Sequence, residues 1–320
     1  MSQRFLLSID GGGIRGIIPA LALLKLEQTT GKPARETFSF VAGTSTGALL
    51  ASAVAAGIPA ARIVDIYRNR IRDIFKPSKP WSDLRQYTVG HKYDAANLNK
   101  VLKEEFGALA SWKLNDSPID LLLTAKGLAD GKPWYFVRDT PYNSRVTGGL
   151  AMLDCATASA AAPTYFDPWP MPAPVAGKLV DGGVGVTGNP VYEACVEAFY
   201  YSAGYRPEET TVVSFGTGRF MKNADPHFIT DWLTWVLDAL LHAPEEQQTE
   251  IVSRHYPQSV LYRLEPQLPA DIDMDEVDRI GELEAAGKQF ADQVDWDAML
   301  RGADTPFRVK PPSYTPARAA

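Results

Sequence analysis

The stretch Thr37-Phe38-Ser39-Phe40-Val41-Ala42-Gly43-Thr44-Ser45-Thr46-Gly47-Ala48-Leu49-Leu50 constrains the fold more than any other part of the chain. It reads as a short apolar strand, a glycine-bracketed serine, and a helix of small residues. The bracket Gly43-x-Ser45-x-Gly47 has the form of a nucleophile elbow. In such an elbow the serine occupies a tight strand-to-helix turn, and a side chain at either glycine would crowd it. The turn exposes the hydroxyl at the mouth of a sheet. It also points a helix N-terminus at that hydroxyl, where backbone N–H groups favour developing negative charge. Taken alone, the bracket also fits an ordinary small-residue turn, so its neighbours must decide.

Upstream, Arg4-Phe5-Leu6-Leu7-Ser8-Ile9 reads as a buried strand, followed at once by Asp10-Gly11-Gly12-Gly13-Ile14-Arg15-Gly16. Ile17, Leu21, Leu24 and Leu26 then show helical spacing, and Gly31 closes the helix. Two strand–turn–helix units in succession imply a crossover and parallel pairing of their strands. Gly11-x-Gly13-x-x-Gly16 allows two readings. A dinucleotide site needs an acidic residue at the end of the second strand, yet that strand ends in Gly43-Thr44-Ser45. An oxyanion hole needs consecutive N–H groups converging on a carbonyl oxygen that turns negative. The second reading uses the neighbouring elbow and is preferred.

Further along, 62–75 has the pattern of an amphipathic helix whose basic face carries Arg62, Arg68, Arg70 and Arg72, read as solvated. Helices are expected over 95–106 and 150–161, with strands over 118–126 and 134–137. Lys178-Leu179-Val180-Asp181-Gly182-Gly183 is a short strand ending in an aspartate before paired glycines, which without the elbow would read as a capped turn. A helix follows over 189–201, then a strand and glycine turn over 211–218. Beyond Gly218, 228–242 carries an apolar stripe with Trp232 and Trp235; it fits a core helix or a lipid-facing one. A strand is expected over 260–264, an acidic helix over 274–293 and a loose tail from 311. No repeat or linker appears. One domain over 4–310 is expected, with its motifs in 4–218 and a helical, lid-like part in 219–310.

With 45% hydrophobic and 22% charged residues among 320, the chain has ample capacity for a core. A net charge of −6 argues against a partner that is a nucleic-acid polymer. No secretory signal opens the sequence, and 47–63 is interrupted too often to span a bilayer. Cys155 and Cys195 sit in helical patterns without metal-ligand spacing, which suits a reducing, cytoplasmic setting and no metal or cofactor.

Four stretches in order, Asp10 to Gly16, Gly43 to Gly47, Ala162-Pro163-Thr164-Tyr165-Phe166 and Asp181-Gly182-Gly183, make the chain resemble the patatin-like phospholipases. Ser214-Phe215-Gly216-Thr217-Gly218 fits the family's later glycine turn. The resemblance implies a three-layer α/β/α sandwich with a mostly parallel central sheet. It implies a Ser–Asp dyad without histidine, with Ser45 the nucleophile and Asp181 its partner. Gly11, Gly12 and Gly13 would supply the oxyanion N–H groups, with Arg15 holding that loop. The substrate would be a phospholipid or lysophospholipid, met by peripheral contact with a membrane surface. Some bacterial members of the family are signal-activated, membrane-degrading effectors. Two alternatives compete. A Ser–Asp–His triad could recruit His227, His242 or His255, and the first glycine loop could serve a nucleotide-binding module.

Overall fold

A computed structural model describes residues 3–77, 91–143, 146–185, 187–220, 227, 232 and 245–311. Eleven strands are β1 Arg4–Ile9, β2 Phe40–Gly43, β3 His91–Tyr93, β4 Asp120–Gly127, β5 Pro133–Val137, β6 Thr164–Phe166, β7 Trp169–Met171, β8 Gly177–Asp181, β9 Thr210–Phe215, β10 Val260–Leu264 and β11 Arg308–Val309, counted among the described residues. Nine form one sheet in the order β11-β10-β9-β1-β2-β4-β8-β7, with β5 also against β4, while β3 pairs with β6 apart from it. The five strands from β10 to β4 run parallel, as the two crossovers require, and the margins are antiparallel.

Alternation along the strands sends residues to two cores. Leu7, Ile9, Val41, Leu121 and Leu123 face the helices Ile17–Thr30, Thr46–Ala56 and Met152–Ser159. Leu6, Phe40, Ala42, Leu122 and Val212 face the helix Val191–Val196 and the helical residues 245–255. This is the three-layer α/β/α arrangement. The elbow helix Thr46–Ala56 is buried along nearly its whole length, which explains its alanines: it lies against β2 on one side and Met152–Ser159 on another.

The edge of β4 is shared in a way that builds the site. Its residues Asp120 to Leu123 pair with β2, and Ala125 to Gly127 pair with β8 in the opposite sense. β5 covers the other edge over Leu122 to Lys126. The C-terminal ends of β2 and β8 therefore meet head to head, Gly43 opposite Leu123 and Asp181 opposite Ala125. Two carboxyl-terminal strand ends 138 positions apart in sequence become neighbours at Thr124.

Several expected elements change form. The 62–75 helix breaks at Arg70 into Ala60–Asn69 and Ile71–Ile74. The 189–201 helix opens with Asn189 accepting from the Val191 N–H at 3.1 Å and finishes as a π turn, Glu197–Tyr201. The acidic helix starts later than its composition suggests, at Ile280, because Asp275 is drawn away to accept from Tyr93 Oη at 2.8 Å and Lys92 Nζ at 3.1 Å. Of the apolar 228–242 stretch only Trp232 is described, helical and 52% exposed; the rest, with the tail beyond 311, lies outside the described residues. No helix among the described residues is long and apolar enough to cross a membrane.

Candidate active site

Ser45 holds the turn with φ 57° and ψ −126°, a backbone conformation that an L-residue adopts only when its surroundings force it. Both elbow glycines show that force. A Cβ on Gly43 would lie 2.1 Å from the Gly47 carbonyl oxygen, and one on Gly47 would lie 2.1 Å from the Ile9 carbonyl oxygen. The turn is clamped from three further directions. Ser45 N–H donates to Ser159 Oγ at 2.9 Å, Thr44 Oγ1 donates to the Thr187 carbonyl at 2.5 Å, and Thr44 and Thr124 share a hydroxyl contact of 2.6 Å.

Asp181 arrives from the end of β8, its N–H held by the Ala161 carbonyl at 3.0 Å. Its Oδ1 accepts the Gly183 N–H at 2.7 Å, and the Ser45 hydroxyl lies near enough to the carboxyl to lower its pKa. Gly182 allows Thr124 to sit against this turn, since a Cβ there would fall 2.2 Å from Thr124 Oγ1. Burial pushes the Asp181 carboxyl up to about 6, against the Ser45 hydroxyl and the Gly183 N–H, which pull it down. A carboxyl poised there is ionised at neutral pH yet basic enough to take a proton.

The first glycine loop lies alongside: a Cβ on Gly11 would be 3.2 Å from Ser45 Cβ. Gly11 N–H donates to the Gly188 carbonyl at 3.0 Å. The N–H groups of Gly12 and Gly13 donate to nothing among the described residues. Gly12 has φ 154° and Gly13 φ 57°, with Thr217 and Met274 pressed where side chains would stand. Arg15 is buried beneath, its Nε donating to the Gly12 carbonyl and its Nη1 to the Gly218 carbonyl, both at 3.4 Å.

Ser45 and Gly13 belong to the wall of an apolar channel whose other lining includes Leu49, Ala53, Ile63, Ile66, Ile71, Phe75, Leu98, Leu102 and Phe106. The four arginines of 62–75 face away from it and are paired: Arg62 with Asp65 and Glu105, Arg68 with Glu284, Arg70 with Asp73, Glu104 and Glu105, Arg72 with Asp278. His255 packs against Tyr192 and Tyr256 in the opposite helical layer from Ser45. His227 is exposed, and His242 lies outside the described residues. The carboxylates of Asp10, Glu245 and Glu265 approach within 4.8 Å, but Arg263 already bonds two of them. Sequence reasoning passed over Ser159, Thr124 and Arg263. None carries a local motif, and each acts through contacts far away in the chain.

The chain is similar in sequence to known proteins. The chain is 30% identical to a cGAMP-activated phospholipase of Escherichia coli (strain TW11681) over 60% of its own length and 55% of the relative's. It is 32% identical to Patatin-17 of Solanum cardiophyllum over 58% of this chain and 50% of that one. Among solved structures, VipD from Legionella pneumophila aligns over 91% of this chain and 67% of its own with 14% identity and a TM-score of 0.46. The chain spans about half the length of these phospholipase and patatin relatives. Residues 7–194 match the family described as patatin-like phospholipase, more than half of the chain, and the protein belongs to that family.

Proposed function

We propose that the chain is a serine acyl hydrolase that cleaves fatty-acyl esters of phospholipids or lysophospholipids. The carrying observation is the Ser45 elbow set beside a buried Asp181 whose carboxyl is raised to about 6, with Ser45 in the wall of an apolar channel. In this reading Ser45 Oγ attacks the ester carbonyl carbon while its proton passes to Asp181. The carbonyl oxygen becomes an oxyanion facing the N–H groups of Gly12 and Gly13, with Gly11 serving the loop's anchorage through Gly188. The ester C–O bond breaks, Asp181 returns the proton to the departing alcohol, and the acyl group stays on Ser45. Water then attacks the acyl-enzyme, giving one proton to Asp181, and the fatty acid leaves as Ser45 is reprotonated.

A fluorophosphonate carrying an acyl chain is expected to label Ser45, located by peptide mass spectrometry. Ser45→Ala should abolish both labelling and ester turnover with the fold intact. Labelling elsewhere, or turnover by folded Ser45→Ala protein, overturns the assignment.

The same reading places the enzyme at a membrane surface by peripheral contact, supported by the lipid substrates named for its relatives and by the exposed Trp232. Trp232→Ser should then lower activity on liposomes far more than on a short soluble ester, and equal losses would remove the interface claim. The relatives named as cGAMP-activated support control by a cyclic dinucleotide, tested by fatty-acid release from liposomes with and without cGAMP.

A further inference from the structure

The oxyanion loop is held from below by a closed circuit of hydrogen bonds that begins one residue before its glycines. Asp10 is wholly buried, and its Oδ2 accepts from Arg263 Nη2 at 2.6 Å. The same nitrogen donates to Glu265 Oε2 at 2.5 Å, while Nη1 donates to Ser214 Oγ at 2.9 Å. Glu265 Oε1 accepts the Gly218 N–H at 2.9 Å, the Gly218 carbonyl accepts from Arg15, and Arg15 also donates to the Gly12 carbonyl. The path thus leaves the loop at Asp10 and re-enters it at Gly12.

We infer that the Asp10–Arg263–Glu265 group is a positioning device that sets where the Gly13 N–H points, and so sets the rate of the chemical step without touching substrate. This rests on the acyl-hydrolase reading above. Three observations support it. Asp10 Oδ1 is buried with no partner among the described residues, so Arg263 is what fixes this carboxyl. One guanidinium reaches Ser214 on β9 and the residues just past the ends of β1 and β10, Asp10 and Glu265, a geometry that a planar fork satisfies and an ammonium does not. The Gly12 carbonyl accepts from Arg15 twice, from its backbone N–H at 3.1 Å and from Nε at 3.4 Å at the far end of the circuit, and it shares a peptide plane with the Gly13 N–H, so a shift of Arg15 rotates that N–H.

The test is Arg263→Lys, which keeps the charge but cannot reach Asp10, Glu265 and Ser214 together. Four quantities are read: thermal unfolding, kcat and KM on a soluble p-nitrophenyl ester, inhibition by a long-chain trifluoromethyl ketone, and inhibition by the matching secondary alcohol. The ketone's adduct with Ser45 carries an oxyanion; the alcohol fills the channel without one. In folded Arg263→Lys protein kcat should fall on the order of 10- to 100-fold, short of the roughly 100- to 1000-fold seen when a donor is removed outright. KM and alcohol inhibition should hold steady, and ketone inhibition should weaken in step with kcat. A kcat close to wild type, or ketone and alcohol weakened equally, overturns the inference and leaves an ordinary core ion pair. Asp10→Asn, which loosens the same circuit without changing side-chain size, supplies the same comparison should Arg263→Lys not fold. Wild-type protein resistant to the ketone overturns the acyl-hydrolase reading itself, and this inference with it.

Discussion

A carboxyl that must take a proton from serine works against its own burial, and Asp181 shows both sides of that conflict. Desolvation lifts it to about 6, while the Ser45 hydroxyl and Gly183 N–H hold it below where burial alone would take it. Only the ionised form can act as base, so kcat/KM should rise as pH passes through about 6 and level off above neutrality. Stability runs the other way. Because the folded pKa lies above the unfolded value of about 3.9, the folded state binds more protons between those two values. Wild-type stability therefore declines as pH climbs from about 4 through about 6, then stays flat as far as this group is concerned. The accumulated difference is about 3 kcal/mol, two pKa units at about 1.4 kcal/mol each. Asp181→Asn removes it: the carboxamide oxygen can still accept from Gly183, and its NH2 can face Ser45. The variant should lose activity by orders of magnitude yet melt above wild type at pH 8, with the gap closing toward pH 4. A variant less stable than wild type at pH 8 would mean that the interactions with Ser45 and Gly183 outweigh the burial of charge.

At the scale of elements, helix Ala95–Phe106 shows how a sequence-legible piece acquires an illegible role. Its bounds follow from Asp94, which accepts the Ala96 N–H at 2.8 Å as N-cap, and from Gly107 at its end. Leu98, Leu102 and Phe106 recur every four residues and line the channel together. Near the helix start, Asn99 Nδ2 donates to Thr157 Oγ1 at 2.8 Å, on the helix whose last residue, Ser159, holds Ser45. Leu98 is thus at the reactive end, and Phe106 stands about 12 Å further on, at roughly 1.5 Å per residue. Leu102→Phe should narrow the channel midway, lowering kcat/KM for a palmitoyl ester at least tenfold while sparing a butyryl ester. Equal losses on both esters would mean that the acyl chain lies elsewhere. The amphipathic helix over 62–75 and the helix over 95–106 were readable in the sequence, but not that apolar residues of both, themselves part of the core, also line the cavity that reaches Ser45. That outcome depends on how the two helices are set against each other, partly by Glu104 and Glu105 bonding Arg62 and Arg70 across them. The basic face that looked solvated is the other half of those pairs. Likewise the elbow and the Asp181 strand were each legible, whereas their meeting is written in the split register of β4, which no local pattern encodes.

For the whole molecule, the question is where the folding unit ends. The family match stops at residue 194, and the sequence motifs stop at Gly218, where composition changes. The sheet does not stop there. β10 pairs with β9 along five positions and β11 closes that margin. Helix Ile280–Ala291 packs along Ile17–Thr30, close enough that a Cβ on Gly287 would lie 2.8 Å from Leu21 Cδ1. Trp296 is 1% exposed, its ring against Phe38 and Phe215 and its Nε1 donating to the Ala22 carbonyl at 3.1 Å. We infer one cooperative unit over 4–310 rather than a motif-bearing domain with a detachable cap. A tryptophan so placed is worth about 3–5 kcal/mol against alanine, much of the stability of an ordinary domain. The full chain should therefore unfold in a single transition by circular dichroism and by tryptophan fluorescence together, and Trp296→Ala should lower both midpoints equally. A chain cut after residue 218 would leave β9 without its β10 neighbour and uncover Phe38, Phe215 and one face of Ile17–Thr30, so it should show no cooperative melt. Two separate transitions in the full chain, or a truncated protein that melts cooperatively and still reacts with a fluorophosphonate at Ser45, would place the boundary of the unit at Gly218 instead.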